Sequence, residues 1–391
     1  MILLHVLLGK FEPMMRETKR RATLKQVAEL AGVGKATASR VYAESASVSL
    51  KTREKVMKAA KELNYQPSKL AKSLSTGKTR YIGLVFAYLD NPFYAASVEK
   101  LTYLLQESGY QVLLLMAWNE TPEEYSIVQR LLDYQVEGVI SGAASISNTL
   151  ATRCADFGIP IVMYNRDLLK HDLSSVTSEN YKGACAATRL LIETGHTKIA
   201  HIAGWKQSTT GIERQAGFLD TMAEARLKPF DVIDARFLPV QAVEATRKLM
   251  KTANRPNAIF VGNDNMAISV IDVLRSEYSL DVPEDISVVG YDDTILAGLR
   301  AYDLTTIRQP VDKLARMAVE LIKELIDVPD AGRSKRVAPA TLVVGRTVRG
   351  IDKLDQSIAK QISAELDIAL EFRGSLMKTK LGAAKVAKRE Q

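Results

Sequence analysis

Cysteine is nearly missing from this chain, which has only Cys154 and Cys185 in 391 residues. Two thiols cannot build a disulfide framework, and their scarcity fits a reducing cytoplasm. Histidine is also scarce, at four, and with the cysteines far apart in sequence no metal-ligand cluster is expected. No apolar run approaches the ~20 residues that a membrane-spanning helix requires. The apolar opening Met1 to Leu8 lacks a basic leader before it and a small-residue cleavage site after it. It therefore reads as a poor signal peptide, with Met14-Met15 as an alternative start. Catalytic signatures are absent too. No G-x-S-x-G elbow, P-loop or G-x-G-x-x-G follows a strand candidate, so neither an enzyme nor a cofactor is expected.

What is present is uneven in charge. Residues 1–80 carry 17 Lys/Arg against 6 Asp/Glu, a net +11, and residues 373–391 carry 6 against 1, a net +5. The whole chain is only +8, which leaves −8 for residues 81–372. A basic head on an acidic body suggests that the head meets a polyanion, the alternative being a solvated basic surface. Hydrophobic content of 47% over this length allows two or three domains with cores of their own.

Residues 23–63 read as three short helices. Thr23-Leu24-Lys25-Gln26 is a capping-box pattern, after which Leu24, Val27, Ala28 and Ala31 share one helical face. Gly32-Val33-Gly34 breaks the helix, and Lys35 to Tyr42 restarts it with Ala38 and Val41 inward. Ser49 can cap a third helix carrying Val56, Ala60 and Leu63. Two short helices across a glycine turn, braced by a third, form a helix-turn-helix pattern. Lys69 to Ser75 is a further helical candidate, too short to hold alone, because isolated helices under ~12 residues are marginal.

From Tyr81 the pattern becomes strand–helix alternation. Ile82–Phe86, Val112–Leu115, Gly138–Ile140 and Ile161–Met163 are short apolar runs suited to buried parallel strands, with Thr121-Pro122-Glu123-Glu124 opening one of the helices between them. The alternation repeats at Ile199–Ile202, Ala258–Val261 and Ile286–Val289. Two βα runs imply two doubly wound lobes with ligands at the carboxyl ends of the strands. Ile351, Leu354, Ile358, Ile362 and Leu366 fall at helical spacing, so 351–372 is a helix candidate before a basic tail.

The head resembles the LacI (lactose repressor) family of bacterial regulators. Its signature runs Thr23-Leu24-Lys25-Gln26-Val27-Ala28-Glu29-Leu30-Ala31-Gly32-Val33, then Lys35 to Val41, Leu63-Asn64-Tyr65 and Leu70-Ala71-Lys72-Ser73-Leu74. The body resembles the family as well, at Asn91-Pro92-Phe93-Tyr94, Asn263-Asp264, Val282 to Asp293 and Leu304 to Pro310. Residues 23–345 are covered; 1–22 and 351–391 are not. Gly34 departs from the usual serine, and Ala38 and Tyr42 from valine and leucine, which implies altered packing in the head.

The resemblance implies an all-α helix-turn-helix head and a two-lobed α/β, periplasmic-binding-protein-like sensor. The domains implied are an N-terminal extension (1–21), the DNA-binding domain (22–66), a hinge helix and linker (67–80), the effector-binding and dimerisation domain (81–350), and a C-terminal extension (351–391). The first lobe would be 81–179 plus 311–338, and the second 180–308 plus 339–350. Lys35 and Ala36 would read bases in the major groove of operator DNA, Thr37, Ser39 and Arg40 would reach phosphates or nearby bases, and Lys72 and Leu74 would act from the hinge, Leu74 as a minor-groove wedge. A small-molecule effector, a sugar, sugar acid or related metabolite, would meet Phe93, Arg166, Arg214, Phe237, Asn263, Asp292 and Gln309. Other readings remain open for five of these: a helix cap for Asp292, a turn for Asn263, a surface ion pair for Arg214, and ordinary core for Phe93 and Phe237. The implied protein is an allosteric homodimeric repressor. The C-terminal helix would be either a tetramer contact or a tail. A periplasmic-type sugar-binding protein is the rival reading; it would call for an export signal.

Overall fold

The computed structural model describes residues 22–42, 48–66, 78–117, 124–142, 148–167, 173–251, 254–328, 331–351, 362–364 and 366–373. It divides into two compact units, 1–79 and 80–391.

In the first unit, helix α1 (Leu24–Ala31) starts with the full capping box: the Thr23 side chain accepts from the Gln26 amide, and Gln26 accepts from the Thr23 N–H at 2.8 Å. Gly32 ends it at φ +68°, a left-handed conformation that costs glycine nothing. Helix α2 (Lys35–Val41) begins at Gly34 with no side-chain cap. Helix α3 (Leu50–Glu62) is capped by Ser49. Val27, Ala28, Ala38, Val41, Val56, Ala59 and Ala60 form the core. Tyr42 stands edge-on to Tyr65 at 6.0 Å between ring centroids. Arg53 donates to the Val41 carbonyl at 3.2 Å, tying the last turn of α2 to α3.

The second unit holds two lobes. The sheet of the first is entirely parallel, in the order β11-β5-β4-β3-β1-β2, with β1 Tyr81–Phe86, β2 Gln111–Met116, β3 Gly138–Ser141, β4 Ile161–Tyr164, β5 Ser174–Ser178 and β11 Lys335–Ala338. Helices α4 (Pro92–Glu107), α5 (Glu124–Asp133), α6 (Asn148–Asp156) and α11 (Val311–Asp327) belong to it. The second lobe has a parallel sheet β7-β6-β8-β9, made of β6 Ile199–Ala203, β7 Val232–Asp234, β8 Ala258–Val261 and β9 Ser287–Val289. Its helices are α7 (Asn180–Glu193), α8 (Thr209–Glu224), α9 (Pro239–Met250) and α10 (Asp264–Tyr278).

Two expectations are corrected. The Val112–Leu115 run does not form a strand buried on both faces. As β2 it is the edge of its sheet, and Leu114 is 40% exposed. The 351–372 helix is also not formed as read. Residues 352–361 lie outside the described residues, helix is present at 362–364 and at 366, and Ala369–Phe372 is a strand, β13. It pairs in parallel with β12 (Thr341–Val344), which lies antiparallel to β10 (Thr306–Arg308). Asp367 at φ +52° breaks the helix, and Ile362, Ile368, Leu370 and Phe372 then pack into the core of the second lobe. That packing, with the pairing to β12, outweighs the helical spacing.

His201 of β6 lies fully buried in this core, stacked on Phe260 at 4.7 Å and donating from Nδ1 to the Phe260 carbonyl at 2.9 Å. Burial pushes its pKa down to about 4, so the folded protein holds it neutral. The unfolded chain takes up a proton below pH ~6.5, so this contribution to stability is intact above that pH and fades as pH falls toward 4. His201→Gln, which keeps a donor toward Phe260, should therefore lose on the order of 2 kcal/mol less than the wild type between pH 7 and pH 5. Denaturant titrations of both proteins at the two pH values read this directly.

Candidate effector cleft and DNA-facing helix

The carboxyl ends of the strands of both lobes open onto one cavity of about 930 Å³, its mouth included. After β1 come Tyr88, Asp90 and Asn91; after β4, Asn165 and Arg166; after β6, Trp205 and Ser208; after β7, Arg236 and Phe237; after β8, Asn263; and after β9, Asp292. This is where doubly wound sheets place ligands.

The deepest wall is a charged pair. Arg214 of α8 and Asp292 are 2% and 4% exposed and stand 3.5 Å apart. Burying charge is costly unless it is paired and hydrogen-bonded, and both conditions are met. Arg214 donates from Nε to Asn180 at 3.0 Å and from Nη1 to the Gly262 carbonyl at 2.6 Å, with its guanidinium 3.6 Å over the Tyr291 ring. Asp292 sits at φ +126° and accepts from Gln309 Nε2 at 2.7 Å. Burial raises its pKa against the opposing pull of Arg214. Asp264, the first residue of α10, is raised as well, by burial and then by the charge of Asp292; it accepts from Thr294 N–H and Thr306 Oγ1.

Six of the seven residues expected at the effector site line this cavity: Phe93, Arg166, Arg214, Phe237, Asn263 and Asp292. Asp292 is not a helix cap, and Arg214 is not a surface ion pair. Asn263 is both a cap and a wall, its Oδ1 accepting from Met266 N–H at 2.9 Å at the start of α10. Phe93 likewise belongs to the first lobe's core and to the cavity. Phe237 reaches the cavity because Gly204 has no side chain; a Cβ there would lie 2.0 Å from its ring. Gln309 is the correction: it does not line the cavity. It stands behind Asp292, donating to it and accepting from Ser178 at 2.6 Å.

Tyr88, Asn91, Tyr94, Asn165, Trp205, Ser208, Thr210 and Arg236 also line the cavity and are not among the residues expected there. The usable signal was position, since most follow directly on a strand's carboxyl end, and Asn91 and Ser208 are N-caps of α4 and α8.

In the head, Lys35, Ala36, Ser39 and Arg40 are exposed along one face of α2, Thr37 is half-buried, and Ala38 and Val41 turn inward. Lys72, Leu74 and the hinge helix 69–75 lie outside the described residues, as do 1–21 and the basic tail.

Behind Asp292, its neighbour Asp293 is held by two arginines. Arg308 donates from Nε at 2.6 Å, and Arg373, just past β13, donates from Nη2 to the other oxygen. Arg373 also donates to the Leu304 carbonyl. Removing a charged donor from a partly buried carboxylate costs about 1.5–3 kcal/mol. Arg373→Ala should therefore lower the unfolding free energy by about 2 kcal/mol in a denaturant titration at pH 7. No change would mean that the strand end is not docked there.

The comparisons agree with this geometry. The model of bacterial regulatory proteins of the lacI family matches residues 23–68, and that of the periplasmic binding protein-like domain matches 188–348. The HTH-type transcriptional repressor PurR of Vibrio vulnificus (strain CMCP6) is 33% identical over 338 residues, covering 85% of this chain and 100% of that protein. The sucrose operon repressor of Pediococcus pentosaceus is 32% identical over 332 residues, covering 83% of this chain and 98% of that protein. Among solved structures, the lac repressor dimer bound to operator and an anti-inducer superposes with a TM-score of 0.76 at 28% identity, covering 84% of this chain and 99% of that one. The transcriptional regulator CelR–cellobiose complex gives 0.64 at 32% identity, covering 84% and 100%. With head, cleft and relatives in agreement over most of its length, the chain belongs to the lacI family of bacterial regulatory proteins, DNA-binding transcriptional regulators with a periplasmic-binding-protein-like sensor.

Proposed function

We propose that the protein is a repressor that binds operator DNA through α2 and releases or tightens it in response to a sugar or sugar derivative held in the interlobe cavity. The observation that carries this reading is the cavity wall. It combines aromatic faces (Phe93, Tyr94, Trp205, Phe237) with fixed hydrogen-bonding groups (Arg214, Asn263, Asp292), the pairing that a polyhydroxylated ring requires. Relatives named for sucrose and cellobiose support it.

In this reading the protein acts as a dimer on a pseudo-palindromic site; the lac repressor it resembles is a dimer bound to operator. Lys35 and Ala36 contact base edges, the lysine donating to guanine acceptors and the alanine touching a thymine methyl, while Thr37, Ser39 and Arg40 contact the backbone or nearby bases. Effector and DNA are linked because a ligand that prefers one pose of the lobes shifts the balance between poses.

Selection of duplexes from a random pool with the full chain, at fixed salt, tests the DNA half. A recovered consensus should lose about tenfold or more in affinity on Lys35→Ala, with random duplex weakened far less, since base contacts carry discrimination and phosphate contacts do not. Equal binding of consensus and random duplex by the wild type would overturn the proposal.

A further inference from the structure

The charges that line the cavity do not balance. Arg166, Arg214 and Arg236 face Asp90 and Asp292. Arg214 and Asp292 satisfy each other, and Asp90 and Arg236 both stand exposed at the rim. Arg166 is different. Its residue is 7% exposed, yet no carboxylate among the described residues lies within ion-pair distance of its guanidinium. It donates from Nη2 to the neutral phenol of Tyr94 at 2.8 Å, and its Nε has no partner. The adjacent carboxylate, Asp167, is engaged by Lys335 at 2.6 Å. Beside it the buried Asn165 Oδ1 is also without a partner. A buried guanidinium with no anion is unfavourable, and proteins keep such groups where a ligand supplies the counter-charge.

The backbone adds field of the same sign. Three helices begin at the cavity wall: α4 after Asn91, α8 after Ser208 and α10 after Asn263, each with its capping side chain in the lining. Helices of 16, 16 and 15 residues present the positive ends of their dipoles there. Phe93, Tyr94, Trp205 and Phe237 give apolar faces but no negative charge.

From this uncompensated charge we infer that the effector is an anionic sugar derivative, a polyol carrying a carboxylate or a phosphate. Its acidic group pairs with Arg166 of the first lobe, while its hydroxyls take up Asn165, Asp292 and Asn263. A ligand held by Arg166 in the first lobe and by Asp292 and Asn263 in the second would also favour the closed pose, giving it the differential affinity that allostery requires. This inference rests on the sugar reading of the same cavity and narrows it.

The test is calorimetric titration of the full chain with D-glucose, D-gluconate, D-glucuronate, D-glucose 6-phosphate, sucrose and cellobiose, in the wild type, Arg166→Met and Arg166→Lys. At least one acidic member should bind tenfold or more tightly than glucose. The carboxylate and phosphate arms separate the two acidic classes. Arg166→Met should abolish that preference and Arg166→Lys should retain part of it. Ligand-free Arg166→Met should also unfold at the same or a higher temperature than the wild type, because an uncompensated buried charge has gone. If neutral sugars bind and no acid binds more tightly, the inference fails and the sugar reading stands. If no member binds, both fail. A clearly lower melting temperature for ligand-free Arg166→Met would show that the guanidinium is already compensated and would also overturn the inference.

Discussion

The second lobe is organised around one buried ion pair. Arg214 and Asp292 are withdrawn from water, and an unpartnered charge in that position would cost more than most single contacts return. Asn180, the Gly262 carbonyl and the Tyr291 face are therefore needed around the arginine, and Gln309 beside the aspartate. These partners come from α7, from the end of β8, from the turn after β9 and from the segment after β10. Satisfying one charge pair thus fixes the relative placement of most of the lobe. It also leaves two polar groups presented to a cavity, which a purely apolar core would not do.

The pair has reach beyond its own lobe. Gln309 accepts from Ser178 at the last residue of β5, where the chain crosses from the first lobe to the second. On its other side, Asp293 is gripped by Arg308 and Arg373, so β13 buttresses the same turn from behind. A ligand drawing on Asp292 therefore pulls on a carboxylate hydrogen-bonded to one crossover and next in sequence to Asp293, which Arg373 ties to the docked strand. That connectivity gives a physical basis for effector binding to be felt as a change in lobe pose.

Much of this was legible in the amino-acid sequence, and the parts that were not have identifiable causes. The head was readable because capping boxes, glycine turns and helical faces are local, as Thr23-Gln26 and Gly32 show. The apolar strands β1, β3, β4, β6 and β8 were readable because burial on both faces leaves an uninterrupted run. Strand β5, Ser174–Ser178, gave no such signal. Its buried serines are tolerated because Ser174 and Ser178 find hydrogen-bond partners far away in sequence. Strand β13 falls inside the helix candidate because Ile362 and Leu366 carry the helical spacing almost up to it, and only the pairing of 369–372 with β12 decides against helix there. At the cleft, Asp292 and Arg214 came through resemblance. Gln309 was given the wrong neighbour because a one-residue difference in depth is a tertiary property. The isolation of Arg166 likewise emerges only once Lys335, 168 positions after Asp167 in the chain, is seen to take up that carboxylate.

The central claim is that occupancy sensed at the Asp292–Arg214 pair governs DNA affinity. The direct measurement is the operator affinity of Asp292→Asn against the wild type, each with and without the sugar or sugar acid that binds the wild type most tightly. The account predicts that the wild type's operator affinity shifts when the ligand is added and that the affinity of Asp292→Asn, whatever its ligand-free value, does not. An Asp292→Asn protein whose operator affinity responds to the ligand as fully as the wild type's would contradict it.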